Sequence, residues 1–332
     1  MEQVVPTLEH LRKAYAVTRQ ATQLTPLLES AALARETGAA RAFVKPESLQ
    51  WAGSFKVRGA YWRLKQLSSD EAKRGVVAYS SGNFAQGLAA AGQALGIPVT
   101  IVMPIDAPAA KRDATAGFGA RVVLTEHGDR AREEVASVRA LEISAQEGLV
   151  LLHPFDDPEI VAGQAGVALE ALDQLSARDA SIDMAFCPAG GGGLIGGVAL
   201  AFRYLSPRTK IIAVEPEGFD GVGASLAAGQ IETRPLRAKS ICDGLMSRRA
   251  GDAPFAALSS TGVRGMTVSD SAVQRAMKFA FERMKLVLEP SGAASIAALL
   301  EGGEDLKGKT VLAVASGGNV ALADFMAHVG NA

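Results

Sequence analysis

Residues 184–205 read MAFCPAGGGGLIGGVALAFRYL, and their interpretation decides the fold. Met184 to Cys187 is a short apolar β-type run, Gly190, Gly191, Gly192 and Gly193 interrupt it, and Leu194 to Leu205 has helical character. A strand, a glycine loop and a helix in that order form the opening half of a parallel-sheet unit, and the backbone amides at such a helix start bind anions. The uncharged stretch Ala185 to Phe202 is long enough in number to span a membrane, but Pro188 and six glycines argue against it.

Working outward, further short β-rich runs lie at Ala42–Lys45, Val76–Tyr79, Val99–Met103, Arg121–Leu124, Lys210–Val214 and Thr310–Ala315, with helix-length stretches between most of them. That alternation predicts a mostly parallel α/β fold with helices on both faces and with binding loops at the carboxyl ends of strands. Helices are expected at Phe84–Leu95, Lys111–Phe118, Arg130–Glu147 and Asp270–Lys285. In the last of these, Val273, Met277, Ala280, Phe281 and Met284 form one apolar stripe. The units between Val76 and Glu147 are compact enough for a small lobe, giving an expected division into residues 1–70 with 156–332, and 71–155.

Composition narrows the function. Lys plus Arg total 34 against 35 Asp plus Glu, for a net charge of −1, without the basic field that nucleic-acid binding needs. Apolar residues make up 48% of the 332, enough for a sizeable core. Cys187 and Cys242 are the only cysteines, too few for a disulfide framework or a thiolate zinc site, and Met1–Gln20 lacks a secretory signal. A cytoplasmic protein without membrane or nucleic-acid partners is expected. His10, His127, His153 and His328 are scattered, and no GxSxG or HExxH occurs, which leaves hydrolases unsupported; His153 reads as a packed or capping residue.

Four polar or glycine-rich junctions carry the chemistry. Gly190–Gly193 is a phosphate cradle candidate. It also reads GxGxxG at Gly191, Gly193 and Gly196, with Glu215 about twenty residues on, so a NAD-dependent dehydrogenase is a rival reading. Ser54 is placed to cap a helix whose first turn contains Lys56, where the helix dipole and desolvation would lower the amine pKa. Ser80, Ser81, Gly82 and Asn83 offer hydroxyls and amides to a carboxylate, and Ser316 to Asn319 form a fourth junction. A non-catalytic amino-acid-binding module would use the same loops without chemistry.

In order, SFKVRGA, SSGNFAQG, HPFDDPEIVAGQ, PAGGGGLIGG, EPSGAAS and SGGN closely resemble fold type II pyridoxal phosphate enzymes, in the branch of threonine/serine dehydratases and serine racemases. The resemblance spans roughly residues 25 to 325. It implies two open, twisted, mostly parallel sheets of the tryptophan synthase β type, a small mobile domain over the site, and a homodimer. It assigns Lys56 to a Schiff base with pyridoxal 5'-phosphate and Phe55 to packing beside the ring. Asn83 goes to the ring hydroxyl, Gly190–Gly193 to the phosphate, Ser316 to the pyridine nitrogen, and Glu289 to a position near the ring. Ser80–Asn83 go to the substrate carboxylate. The implied activity converts a β-hydroxy amino acid, L-threonine or L-serine by default, to a 2-oxo acid and ammonia. An end at Ala332 implies a catabolic enzyme without a regulatory domain.

Departures from the pattern bear on specificity. Ser81 stands where dehydratases often have alanine and racemases have a proton-handling serine, so amino-acid racemisation is the alternative activity. Phe84 replaces a common histidine and, with Trp51, suggests a larger β-substituent. For a divalent cation the resemblance offers Glu215, but the second carboxylate position is Gly221 with Asp220 beside it.

Overall fold

A computed structural model describes residues 4–128, 132–235, 239–330 and 332. Ten strands lie among them: β1 (Leu28–Glu29), β2 (Arg41–Pro46), β3 (Val76–Tyr79), β4 (Val99–Pro104), β5 (Arg121–Thr125), β6 (Val150–Leu152), β7 (Met184–Pro188), β8 (Lys210–Pro216), β9 (Arg264–Val268) and β10 (Thr310–Ala315). They form a six-stranded sheet ordered β1-β2-β10-β7-β8-β9 and a four-stranded sheet ordered β5-β4-β3-β6. Every pairing is parallel except β1 with β2. The larger sheet takes its strands from residues 28–46 and 184–315, the smaller from 76–152.

Side-chain alternation explains why both faces are covered. Along β10, Leu312 and Val314 enter one hydrophobic core, while Val311, Ala313 and Ala315 enter another. Neighbouring β7 repeats the pattern, with Ala185 and Cys187 on the first side and Met184 and Phe186 on the second. The small sheet is built alike: Val76 and Ala78 pack on one side, Val77 on the other. A strand apolar on both faces needs helices on both faces, and its sequence reads as an unbroken apolar run. The two cysteines are buried free thiols.

All seven β-type runs recognised in the sequence are strands, with ends within two residues. Phe84–Leu95 and Lys111–Phe118 correspond to helices Asn83–Leu95 and Ala109–Gly117. Of Arg130–Glu147, the observed helix is Arg132–Glu147, and residues 130 and 131 fall outside the described ones. The Asp270–Lys285 helix is corrected: its α-helical part stops at Phe279, and Ala280–Met284 form a π-helical turn ending at Lys285, with φ 60°. The wider turn shifts the buried stripe, so Val273, Met277 and Ala280 stay inside, while Phe281 is 48% exposed and its ring edge meets Phe325. Among the described residues no helix is long and apolar enough to cross a membrane.

Candidate active site

Lys56 is delivered by two short 3-10 turns after β2, Glu47–Leu49 and Trp51–Gly53, and begins the helix Lys56–Lys65. The expected Ser54 cap is not formed. Ser54 is extended, bridges Gly317, and leaves its buried hydroxyl without a partner, while Phe55 N donates to Ser316 O at 3.2 Å. Pairing with residues 316–317 thus holds the backbone straight where a cap residue would have to turn towards the helix. The Lys56 amine donates to Pro154 O at 3.0 Å and lies 5.2 and 5.7 Å from the ring centres of Phe55 and Phe84. Desolvation lowers its pKa from 10.5 to about 8, against the opposing pull of Glu289.

Two residues farther along, Arg58 anchors that helix. It is fully buried and grips Glu47 and Glu170 in two-pronged pairs, at 2.7 and 3.0 Å and at 2.7 and 2.9 Å. Lys45 joins the same cluster, donating to Glu170 at 2.8 Å, Thr25 O at 2.7 Å and Gln174 at 3.1 Å. Two cations and two carboxylates therefore balance inside the protein.

The remaining junctions converge from both sheets. Asn83, at the start of the helix following β3, donates its amide to Glu289, and its carbonyl accepts from Asn319 Nδ2 at 2.8 Å. Burial pushes Glu289 up to about 7, with Asp243 adding to the shift, while the Asn83 bond, Lys111 and Lys56 oppose it. Only glycine fits at 317, since a Cβ there would overlap the Glu289 carboxylate and crowd Asn83. Ser316 is buried, its hydroxyl 3.5 Å from Ser291 O. In the Ser80–Asn83 loop, Gly82 N donates to Ser80 Oγ at 3.2 Å, Ser81 is half-buried, and a Cβ on Gly82 would meet open space.

The glycine loop follows β7 and leads into the helix Gly193–Leu205. Gly190 to Gly193 are buried, yet their amides have no acceptor among the described residues. Buried amides left unpaired at a helix start are what a phosphate would satisfy, so this donor set fits one. The Phe155 ring lies against Gly191 where any side chain would collide. His153 holds that segment, its Nδ1 accepting from Asp156 N at 2.9 Å and Phe155 N at 3.4 Å, and its pKa is lowered chiefly by burial. The capping reading of His153 therefore agrees with its geometry.

The two divalent-cation candidates, Glu215 and Asp220, have different surroundings. Glu215 is fully buried, and its two oxygens accept from Val222 N and Gly223 N, each at 2.8 Å; burial pushes it up to about 8, opposed by those amides. Asp220 faces the Arg234 guanidinium at 2.9 Å. No group of three or more His, Cys, Asp or Glu side chains placed to hold a metal ion occurs among the described residues, so a cation at Glu215 would need further oxygens from backbone and water.

A family profile described as pyridoxal-phosphate dependent enzyme matches residues 18–317. The chain belongs to that family. This overturns the dehydrogenase alternative, and the GxGxxG spacing is incidental to the glycine loop of a pyridoxal-phosphate dependent enzyme. L-threonine ammonia-lyase of Thermotoga maritima is 39% identical over 315 residues, covering 95% of this chain and 76% of that protein. L-threo-3-hydroxyaspartate ammonia-lyase of Saccharomyces cerevisiae is 38% identical over 96% of this chain and 94% of its own length. Maize serine racemase superposes with a TM-score of 0.90 at 32% identity, covering 98% of this chain and 97% of that one. In this member of the family, sequence reading did not name Pro154 or Phe155 at the site, and it placed Asn319 in the fourth junction without giving it a role. The first two lie in the quoted HPFDDPEIVAGQ motif just after β6, a strand too short to be seen, and Asn319 ends SGGN.

Proposed function

We propose that this chain is a pyridoxal-phosphate-dependent ammonia-lyase that converts a β-hydroxy amino acid, L-threonine or L-serine by default, to a 2-oxo acid and ammonia. The observation that carries this reading is the desolvated Lys56 amine, which faces two aromatic rings, in a chain whose Gly190–Gly193 amides are buried and unpaired among the described residues. Those amides would hold the cofactor phosphate, Asn83 the ring hydroxyl and Ser316 the pyridine nitrogen, with Phe55 beside the ring and Glu289 near it. The bound cofactor supplies an electron sink for the charge left when the α-proton departs.

The protein's own groups do the rest. Ser80 to Asn83 would bind the substrate carboxylate through the open face at Gly82, which sets the α-carbon against Lys56. An amine with pKa about 8 is partly neutral near pH 7 and can take the α-proton. Ser316 offers a neutral hydroxyl and so stabilises a protonated ring less than a carboxylate would, which favours prompt loss of the β-hydroxyl. Net, the substrate loses water, regains it on hydrolysis of the resulting imine, and releases ammonia. Of the two aromatic residues considered for a larger β-substituent, Phe84 borders the Lys56 amine, whereas Trp51 is turned edge-on to Phe118.

Purified protein should be yellow, and borohydride reduction with peptide mapping should mark Lys56. A panel of β-hydroxy amino acids, including L-threonine, L-serine and L-threo-3-hydroxyaspartate, should release ammonia and oxo acid. Unmodified Lys56, or ligand binding without cofactor and turnover, would reject the reading in favour of a binding module. The half-buried Ser81 supports racemisation as a second reading, because inverting the α-carbon needs an acid facing the lysine across the substrate. Ser81→Ala should abolish L-to-D conversion while leaving L-substrate elimination within about tenfold. Chiral chromatography beside an oxo-acid assay checks it, and D-amino acid formed faster than oxo acid would make racemisation the main activity.

A further inference from the structure

The Asn319 side chain has one nitrogen and two acceptors: Nδ2 lies 2.9 Å from Ala52 O and 2.8 Å from Asn83 Oδ1. A backbone carbonyl can only accept, so the end of Asn319 that faces Ala52 must be its NH2 group. The second hydrogen of that group then points at Asn83, and the atom of Asn83 receiving it must be the carbonyl oxygen. By exclusion, the Asn83 NH2 group faces Glu289 and the interior of the site, where it donates to that carboxyl group. Glu289 could not impose this polarity alone, since a carboxyl group near pH 7 can present either an oxygen or an O–H.

The anchor at the far end is firm. Ala52 adopts a left-handed conformation with φ 60°, unfavourable for a residue with a Cβ. Its turn is tied to residues 316–319 by Gly318 N to Gly53 O at 3.0 Å, by the Ser54–Gly317 bridge and by Phe55 N to Ser316 O. Asn319 also lies against Gly53, where a side chain would strike its amide oxygen.

We infer that Asn319 is a positioning residue: by donating to Ala52 O and Asn83 Oδ1 it fixes which way round the Asn83 amide sits, and so makes Asn83 a donor towards the cofactor ring hydroxyl. This rests on the cofactor site proposed above, and it concerns a residue to which neither the sequence motifs nor the proposed function gives a role.

The test compares holoenzymes of Asn319→Asp and Asn319→Ser by the visible absorption band of the bound cofactor, by kcat and KM, and by thermal midpoint. Aspartate keeps the shape that packs against Gly53 but, when ionised, cannot donate, so Asn83 is driven to turn over; serine loses shape but keeps one donor. The expected result is a displaced absorption maximum and a kcat lowered by about tenfold or more for Asn319→Asp, with KM within about threefold, and smaller changes in both for Asn319→Ser. If packing alone mattered, aspartate would be nearer wild type than serine in every readout, and that ranking overturns the inference. Should Asn319→Asp yield no folded holoenzyme, Asn319→Ala replaces it, expected to disturb band and kcat more than Asn319→Ser, and equality of the two overturns it. A wild-type protein without a visible band would instead defeat the cofactor reading itself.

Discussion

Lys45 and Lys56 are two buried-amine lysines eleven positions apart, and their surroundings differ completely. Lys45 donates to a carboxylate, a backbone carbonyl and a side-chain amide, inside a cluster where Arg58, Glu47 and Glu170 complete the charge balance. Lys56 has one carbonyl acceptor, two aromatic rings and, farther off, Glu289. Burial lowers the pKa of both. On the proposed function, what separates the structural Lys45 from a reactive Lys56 is therefore compensation, since a fully paired ammonium has no lone pair to offer whereas an under-paired one releases its proton readily. The difference can be broken or sharpened by experiment.

The largest effect is expected from Lys56→Ala, which should cut turnover by about 10^3-fold or more. Its thermal midpoint should remain within about 2 °C of wild type, because little pairing is lost. A folded variant with substantial activity would remove Lys56 from the chemistry. The reverse profile belongs to the cluster: Lys45→Met or Arg58→Met leaves a buried carboxylate uncompensated and should cost about 3–5 kcal/mol in denaturant unfolding. A loss below about 1 kcal/mol would mean that the cluster is no better than a surface ion pair.

A smaller effect follows from the Lys56 pKa. In protein stripped of cofactor, the neutral amine is the form that captures an aldehyde, and its fraction falls about tenfold for each pH unit below the pKa. The rate of pyridoxal phosphate uptake should therefore climb with pH to about 8 and then level off. Stopped-flow absorbance would measure it, and a rise continuing towards 10.5, the ordinary lysine value, would show that desolvation is not felt. The smallest effect should come from cations. With Glu215 bound by amides and Asp220 by Arg234, adding Mg2+ or EDTA should change activity by less than about twofold. A clear Mg2+-dependent rise in thermal midpoint would reveal a site built from other ligands.

The seven strands legible in the sequence are the ones with apolar residues on both faces. The other three lacked that signal: β1 has two residues and β6 three, and β9 is an edge strand, RGMTV, mostly exposed and containing a glycine. At the candidate site, Lys56, Asn83, Glu289, Gly190–Gly193 and Ser316 were picked out because each lies in a short motif at a strand or helix end, through which the resemblance proposes its role. The Lys45–Glu170 and Arg58–Glu170 pairs, 125 and 112 residues apart in sequence, leave no trace in spacing, and neither does the role of Asn319, 236 positions from Asn83. The Ser54 cap failed for the same reason, because its partner, Gly317, lies more than 250 positions away in the chain. Glu215 and Asp220 were taken from the resemblance, which says nothing of the Val222 and Gly223 amides or the Arg234 guanidinium beside them.

The place of β10 has a consequence for synthesis on the ribosome. The last of the ten described strands is inserted in the middle of the six-stranded sheet, between β2 and β7, rather than added at an edge. Until about residue 319 has left the exit tunnel, β2 and β7 lack the neighbour that joins them, and the Lys56 turn lacks the segment that pins it. A nascent chain can form the local parallel units of the small sheet early, but the large sheet and the Lys56 turn are completed only after residues 310–319 have been made. A polypeptide released too soon would thus have its lysine and its glycine loop without the central strand and the 316–319 segment that hold the Lys56 turn in place.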